Sequence, residues 1–564
     1  MTITASETRS ETPTHAAAPQ PAYEAIAQAF AAEGVDHHFL LMGHGQMLWA
    51  SAMDQIPGMR STDARHEHCA CMEAIGYHFA TGKVGVASVT CGPGFTQVMT
   101  ALTQAAQGRV PMVVLAADAP AGQRWYNQTV DQIALAKATG ARVIDVRSPK
   151  TLLASVQEAF YIARGERMPV VLNIPYDLMK EPLPGGSCYV PSTDLLPRLR
   201  PMPPHPEDIS ALAEHLARAR APILLAGRGA VRAGAGPAIS ALADKAGALL
   251  SNTLPARGLF DDHPFSIGVA GGFSSEMAVE CFSNADLVIA FGASLTHYTT
   301  DGGALFPNAR VAHVDHAPLG LNHGRAVASL HLRGDARLTA EALTSALPSP
   351  CAASVRSDDL QHRIATTLPD STPFEIEPGT LDPRAFVRAF DQVIPKDWDI
   401  VAGTGHSSYF YTHLRNRPPT RLHILREFGA IGSSLAMAIG VAAARGNGRV
   451  VLLDGDGGVL MHLQELEAIE RQGIKLLVCV LNDGGYGAEV HKLRKLGIDP
   501  RMAVFGRPGF GAIAQGFKLS GETITSNDQL PEAFARYCEL QHAAVWDIHM
   551  SANVTSPRGR KMPQ

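Results

Sequence analysis

Two short turns in the last third of the chain hold residues of a type and spacing that could do chemistry. Asp456 lies in Asp454-Gly455-Asp456-Gly457-Gly458, directly after the apolar run 449–453. Asp483 lies in Asn482-Asp483-Gly484-Gly485, directly after the run 475–481. Glycines let backbone N–H groups approach an anion, and a helix starting there favours negative charge. A carboxylate beside a phosphate is tolerable only with a divalent cation between them. Two carboxylates, a loop carbonyl and phosphate oxygens would make the hard oxygen shell that Mg2+ prefers. Gly, Asp and Asn are commonplace at strand ends, so either turn alone reads as a turn and only the pair reads as a site.

A second group lies near the amino terminus. His66-Glu67-His68-Cys69-Ala70-Cys71 has the composition of a metal cluster but not its spacing. On a helix, Cys69 and Cys71 face different sides, and neither Cys-x-x-Cys nor His-Glu-x-x-His is present. Both cysteines therefore read as small core residues. Glu67 stands out as a carboxylate near a helix start, where a solvated Glu is also favoured.

The elements needed to position these residues follow from the apolar pattern. The run 84–89, the breaker Gly92-Pro93-Gly94, a helix over 95–107 and a strand over 112–116 make a βαβ unit. Further strands are expected over 222–226, 286–291, 311–315 and 399–402, with a helix from the Asp456 turn to Gln472. The fold class is α/β, with three doubly wound parallel-sheet domains. Their expected bounds are 21–190, 205–347 and 379–552, with a Pro-rich linker over 348–378 and tails over 1–20 (disordered) and 553–564. Gly227-Arg228-Gly229 is followed next by Gly234, which misses the dinucleotide-binding spacing.

Composition excludes several classes. The chain has 564 residues, with 48 Lys+Arg against 53 Asp+Glu and a formal net charge of −5, so it lacks the basic footprint of a nucleic-acid binder. No apolar run approaches the roughly 20 residues needed to span a bilayer. Eight cysteines are too sparse for a disulfide framework and fit a reducing cytoplasm. The first twenty residues, which carry Glu7 and Glu11, lack the apolar stretch of a signal peptide.

At this point the sequence resembles the thiamin-diphosphate enzymes of the acetolactate synthase / pyruvate decarboxylase superfamily. Their signature is Gly-Asp-Gly, a helix and strand, then Asn-Asn; here Asp483 replaces the second Asn. The resemblance implies a cation bound by Asp456, Asp483 and the Gly485 carbonyl, with Asp483 bearing on the preference for Mg2+ over Ca2+ or Mn2+. It extends over nearly the whole chain. The Arg65-His66-Glu67 and Gly92-Pro93-Gly94 segments resemble the family's pyrimidine domain, which makes Glu67 the partner of the aminopyrimidine N1′. Gly403-Thr404-Gly405-His406-Ser407 resembles the segment that holds the diphosphate, joined by Gly455, Gly457, Gly458 and Tyr486. Gly429-Ala430-Ile431-Gly432 resembles the turn whose apolar residue, here Ile431, props the bent cofactor. The resemblance also implies a homodimer or homotetramer in which two subunits share each active site.

Departures from the family pattern bear on the substrate. In Met42-Gly43-His44-Gly45-Gln46, His44 stands where relatives have Pro, as in benzaldehyde lyase-like sequences, and Gln46 holds a variable polar place. Glu489 falls where pyruvate decarboxylase-like enzymes carry a catalytic Glu. His44, Gln46 and Glu489 are thus candidates for proton transfer beside a substrate carbonyl, with His44 also readable as a turn histidine and Glu489 as a helix-start Glu. Gln97 and Trp125-Tyr126-Asn127-Gln128 are candidate pocket residues. FAD has no motif support: Gly271-Gly272 and Gly292-Ala293-Ser294 fit the central domain loosely, but Leu295-Thr296-His297 replaces the usual arginine-containing stretch. The expected activity is cleavage or formation of a C–C bond in a 2-oxo acid or acyloin. The alternatives are simple 2-oxo-acid decarboxylation and a catalytically silent cofactor-binding homologue.

Overall fold

The computed structural model describes residues 19–183, 189–348 and 355–557. The expected tails lie largely outside these, over 1–18 and 558–564. The chain divides into two compact units, one of residues up to Ala74 with 83–196 and the other of 75–82 with 197–564.

The first unit is built on six strands: β1 (His37–Leu40), β2 (Arg60–Asp63), β3 (Gly85–Val89), β4 (Met112–Asp118), β5 (Arg142–Asp145) and β6 (Pro169–Pro175). They pair in the order β2-β1-β3-β4-β6-β5, all parallel. Each of β3, β4 and β6 is apolar almost throughout and buried, as helices on both faces require. The order reverses between β1 and β3, which opens a crevice at their carboxyl ends. The helix expected over 95–107 is two pieces, Pro93–Thr96 and Met99–Gly108.

The second unit holds two more parallel sheets. One comprises β7 (Pro222–Ala226), β8 (Leu249–Asn252), β9 (Ser266–Val269), β10 (Leu287–Phe291), β11 (Arg310–Asp315) and β12 (Leu330–Arg333), ordered β9-β8-β7-β10-β11-β12. The other comprises β13 (Asp399–Ala402), β14 (Leu422–Ile424), β15 (Val450–Gly455), β16 (Leu477–Asn482), β17 (Ser520–Ile524) and β18 (Ala544–His549), ordered β14-β13-β15-β16-β18-β17. Its core includes Phe386, Phe390, Ile400, Leu453, Cys479 and Trp546.

Two expectations are corrected here. The stretch 348–378 is not linker throughout: Asp358–Thr366 is a helix, capped by Ser357, whose Oγ accepts the Leu360 N–H at 3.1 Å. Its Leu360 and Ile364 are buried in the core beside β9 and β10, which is why it folds there. The helix after Asp456 is also interrupted, as Asp456–Met461 and Glu465–Arg471, with His462 at φ −135° between them. Gly457 and Gly458 make the first piece an intrinsically weak helix.

Among the described residues, no helix is long and apolar enough to cross a membrane.

Candidate active site

In the second unit, β13, β15 and β16 lie side by side and parallel, so their carboxyl-end turns are neighbours. The turns are Gly403–Gly405, 455–458 and 483–487. Asp456 is buried and spans two of them: its Oδ1 accepts the Gly457 N–H and its Oδ2 the Gly484 N–H, both at 2.7 Å. Burial, and then the nearby Asp483 charge, push the Asp456 carboxyl up to about 8. The Asp483 charge thus adds to the cost of a negative charge on Asp456, and a divalent ion would remove that cost. Among the described residues, no three His, Cys, Asp or Glu side chains cluster as a metal site. A donor set of two carboxylates with a carbonyl would leave ligand positions for phosphate oxygens. The Gly485 carbonyl also accepts the Gly487 N–H at 3.0 Å and keeps a second lone pair.

Residues of the three turns surround this pair. His406 Nδ1 is 3.5 Å from Asp483 Oδ2, and neither ring nitrogen has a hydrogen-bond partner although both are buried. An anion would satisfy such donors. A Cβ on Gly487 would lie 2.6 Å from His406 Nδ1 and 2.7 Å from Asp483 Oδ2, so only glycine leaves room for the pair. Gly405 has φ +107°, and a Cβ there would sit 3.7 Å from Ile431 Cγ2, so Ile431 faces the turn. Tyr486 is 41 % exposed; its ring covers Gly457 and meets Phe505 edge-on at 5.3 Å. Thr404 is half-buried in the first turn and Gly429 has φ +76° at the entry to the Ile431 segment. The side chain of Glu489 points outward on helix Gly487–Lys495 and pairs with Lys492 at 3.4 Å.

Asp454 is the residue that motif reading missed. Its buried carboxyl lies under the cradle, receives the Ser434 hydroxyl and accepts the Gly455 N–H at 2.8 Å. A Cβ on Gly403 would fall 1.9 Å from Asp454 Oδ1, and one on Gly458 2.7 Å from Oδ2. One carboxyl thus seats two glycine turns and the start of helix Ser434–Arg445. Burial pushes it up to about 7. An Asp two residues before the motif aspartate was visible in the sequence, but its inward direction was not.

In the first unit, Glu67 begins helix Glu67–Thr81 and is half-buried. Its Oε1 would be 3.1 Å from a Cβ on Gly94, so that glycine makes room for the carboxyl. Thr90 joins Glu67's surroundings to the 43–46 turn: its methyl would be 2.8 Å from a Gly94 Cβ, and its Oγ1 accepts the Gly45 N–H at 3.1 Å. His44 sits at the tip of that turn, exposed, with its ring edge-on to Tyr176 at 5.1 Å. Gln46 is fully buried, with Nε2 donating to the Leu41 carbonyl at 2.8 Å, which braces the turn from within, while its Oε1 has no hydrogen-bond partner.

The other pocket candidates divide. Tyr126 and Gln128 are half-buried and joined by a 3.3 Å hydrogen bond from the Tyr126 hydroxyl to Gln128 Oε1, which also receives Cys91 Sγ at 3.4 Å. Gln97, Trp125 and Asn127 are exposed, Trp125 to 79 %. Gln132, which no motif signalled, is buried and fixes the Gly92 turn: Oε1 accepts the Gly92 N–H at 2.8 Å, while Nε2 donates to Ala117 O and Asn173 Oδ1. Cys69 and Cys71 are buried thiols outside any disulfide, as core residues should be. In the central sheet, the Gly229 N–H is bound to the Gly292 carbonyl at 2.9 Å, and Gly227 packs on the same strand end. Those glycines serve close packing and lend no support to a flavin.

Comparison with known proteins agrees with this geometry. Residues 21–135 match the family model described as the thiamine pyrophosphate enzyme N-terminal TPP binding domain, 209–343 the central domain, and 403–548 the C-terminal TPP binding domain. The acetolactate synthase large subunit of Parasynechococcus marenigrum is 30 % identical over 506 residues, covering 86 % of this chain and 80 % of the relative. The acetolactate synthase isozyme 2 large subunit of Escherichia coli is 29 % identical, covering 90 % and 91 %. A probable acetolactate synthase large subunit of Methanocaldococcus jannaschii is 26 % identical, covering 90 % and 88 %. With three domain models matched in order and near-full-length similarity, this chain belongs to the thiamine pyrophosphate-dependent enzymes, on the side of the acetolactate synthases.

Proposed function

We propose that this chain uses thiamin diphosphate and a divalent cation, Mg2+ first, to make or break a C–C bond beside the carbonyl of a 2-oxo acid or acyloin, as an acetolactate synthase-like carboligase. The observation that carries the reading is Asp456, buried with Asp483 beside it and bridging two glycine turns at adjacent strand ends. When bound, thiamin diphosphate supplies a carbon nucleophile for the substrate carbonyl. Asp456, Asp483 and the Gly485 carbonyl would hold the cation. Gly403, Thr404, Gly405 and His406 would receive the diphosphate, with Gly455, Gly457 and Gly458 providing close approach. Ile431 and Tyr486 would bound the cofactor on its apolar sides. Glu67 would hold a proton at the aminopyrimidine end. His44 is the proton-transfer candidate best placed on an open turn. Gln46 acts in this reading by bracing that turn, and Glu489 by an outward side chain able to reach a substrate. Tyr126 and Gln128 would line the pocket, with Gln97, Trp125 and Asn127 at its rim. The assembly is a homodimer or homotetramer with shared active sites, in the cytoplasm, working without nucleic acid or membrane.

The test begins with Glu67→Gln, which keeps the side chain's size but removes its acid. Turnover is expected to fall by about a hundredfold or more, while thiamin diphosphate affinity, followed by fluorescence quenching, changes little. Unchanged turnover would refute the role. Products from pyruvate and benzoylformate then separate the readings. Acyloin formed without added aldehyde marks a carboligase; CO2 and aldehyde alone mark a simple decarboxylase; cofactor binding without turnover marks a silent homologue.

A further inference from the structure

Tyr176 belongs to no motif. It follows Pro175 at the carboxyl end of β6, two strands from the end of β3 that carries Thr90 and the Gly92 turn. Yet its half-buried ring joins two pocket candidates from separate loops. His44 meets it edge-on at 5.1 Å with an interplanar angle of 79°, and Tyr126 lies 5.9 Å away at 60°. The run is pinned at both ends. Gly45 is tied to Thr90 next to Glu67, and the Tyr126 hydroxyl is tied to Gln128 Oε1. Lys180 Nζ lies 5.2 Å from the Tyr176 ring centroid and occupies one face of that ring.

We propose that Tyr176 determines specificity in this site, and that the wall it forms with His44 and Tyr126 selects a planar aryl or unsaturated substituent on the substrate carbonyl over a methyl group. The proposal rests on the reading of the chain as a 2-oxo-acid or acyloin enzyme. Three rings in edge-to-face and tilted contact present alternating edges and faces, the arrangement that a further ring extends at 4.5–7 Å. A methyl group covers a small part of such a wall and makes no edge contact with it. Each aromatic contact is worth roughly two- to tenfold in affinity, so the ring of Tyr176, which touches both neighbours, carries the largest share. The Tyr176 hydroxyl interacts with that of Tyr126, whereas the contact with His44 is made by the ring alone, so the larger share of the discrimination lies in the ring.

The experiment uses the full chain loaded with thiamin diphosphate and Mg2+, with benzoylformate and pyruvate as probes. Tyr176→Ala is expected to lower the benzoylformate-to-pyruvate ratio of kcat/KM by about tenfold or more, through the KM for benzoylformate. Tyr176→Phe is expected to restore the ratio to within about threefold of the parent. An unchanged ratio, or an equal loss on both substrates with no rescue by Phe, overturns the proposal. Tyr176→Leu keeps bulk without a ring and gives the same comparison where Ala prevents folding. If the parent chain turns over neither probe, the wider reading has failed on its own. Saturation-transfer NMR of benzoylformate against pyruvate then still decides this proposal. A stronger transfer signal for benzoylformate that disappears in Tyr176→Leu upholds it, and a signal that the substitution leaves unchanged overturns it.

Discussion

The glycine turns around Asp456 and Asp483 in the second unit and the Glu67–His44 turns of the first occupy equivalent places, at the carboxyl ends of parallel strands where the strand order reverses. They are built from different materials. The former are backbone: glycines packed until a single Cβ would collide with Asp454, His406 or Asp483. The latter are side chains: Thr90, Gln132, Tyr126 and Tyr176 joined across loops by hydrogen bonds and ring contacts. A backbone cradle reads a constant ligand, because its shape cannot be altered without altering the strand ends. A side-chain wall can change one residue at a time, which suits the part of a site that must choose a substrate.

The largest effect that would break this contrast is expected at Asp456. Asp456→Asn removes the charge and keeps one acceptor oxygen, so one of the Gly457 and Gly484 N–H groups loses its partner. Cation-dependent affinity for thiamin diphosphate should fall by about a hundredfold or more, read by calorimetric titration. In the cofactor-free protein the variant should lose the decline in stability that Asp456 imposes between about pH 4 and pH 8, while the orphaned N–H adds a cost independent of pH. A carboxyl whose folded pKa is raised loses stability as pH climbs from its unfolded value near 4 toward about 8, so at neutral pH Asp456 is a cost that Asn does not carry. A variant that melted lower and kept cofactor affinity would show the pair to be scaffolding.

The second effect concerns the seat of the cradle. Gly403→Ala would put a methyl carbon 1.9 Å from Asp454 Oδ1, with the Ser434 hydroxyl behind it. Since the neighbours are a buried carboxyl and a strand end rather than a mobile side-chain tip, the loss of stability should be about 2–3 kcal/mol, measured by denaturant unfolding. Asp454→Ala on the same background should recover part of it, because the two sites share one contact.

How much of this was legible follows from the same contrast. Glycine–acid turns at strand ends announce themselves, because each glycine is a local solution to close backbone approach. Asp456, Asp483 and Gly405 stand in such turns, and the continuous apolar strands of the three sheets were readable as well; Ile431 by itself reads as core and entered only through the family resemblance. Asp454, Gln132 and Tyr176 were not. Their roles depend on which way a side chain turns and what another strand brings to meet it, and neither has a period or spacing in the chain. Gln46 illustrates the converse, a polar residue in a suggestive place whose amide folding commits to Leu41. The helix Asp358–Thr366 was hidden for a related reason: its flanking prolines read as linker, while the burial of Leu360 and Ile364 that holds it comes from the central sheet.

The smallest effect sharpens the comparison by sign. Just before the His44 turn, β1 carries two buried histidines. His37 Nε2 bonds Thr62 Oγ1 at 2.7 Å, and His38 Nε2 bonds Ser88 Oγ at 2.8 Å with its ring edge-on to Trp49. Burial, with the nearby Arg60 charge for His37 and His37 itself for His38, pushes both down to about 3. Stability from neutral histidines is fully present above the unfolded value near 6.5 and is lost as pH falls from there toward 3. Each should cost the first unit about 1.4 kcal/mol per pH unit below 6.5. The Asp456 and Asp454 carboxyls, pushed up rather than down, work the other way and gain stability over the same descent, with His491 and His413, both also held near 3 by burial, offsetting much of that gain. Hydrogen exchange of the cofactor-free protein at pH 7 and pH 5.5, corrected for intrinsic rates, should therefore show protection falling in residues 37–40 and holding or rising in 450–455. Equal losses in both would mean that the carboxyl pair is not strained, and with it would go the reason for placing a cation there.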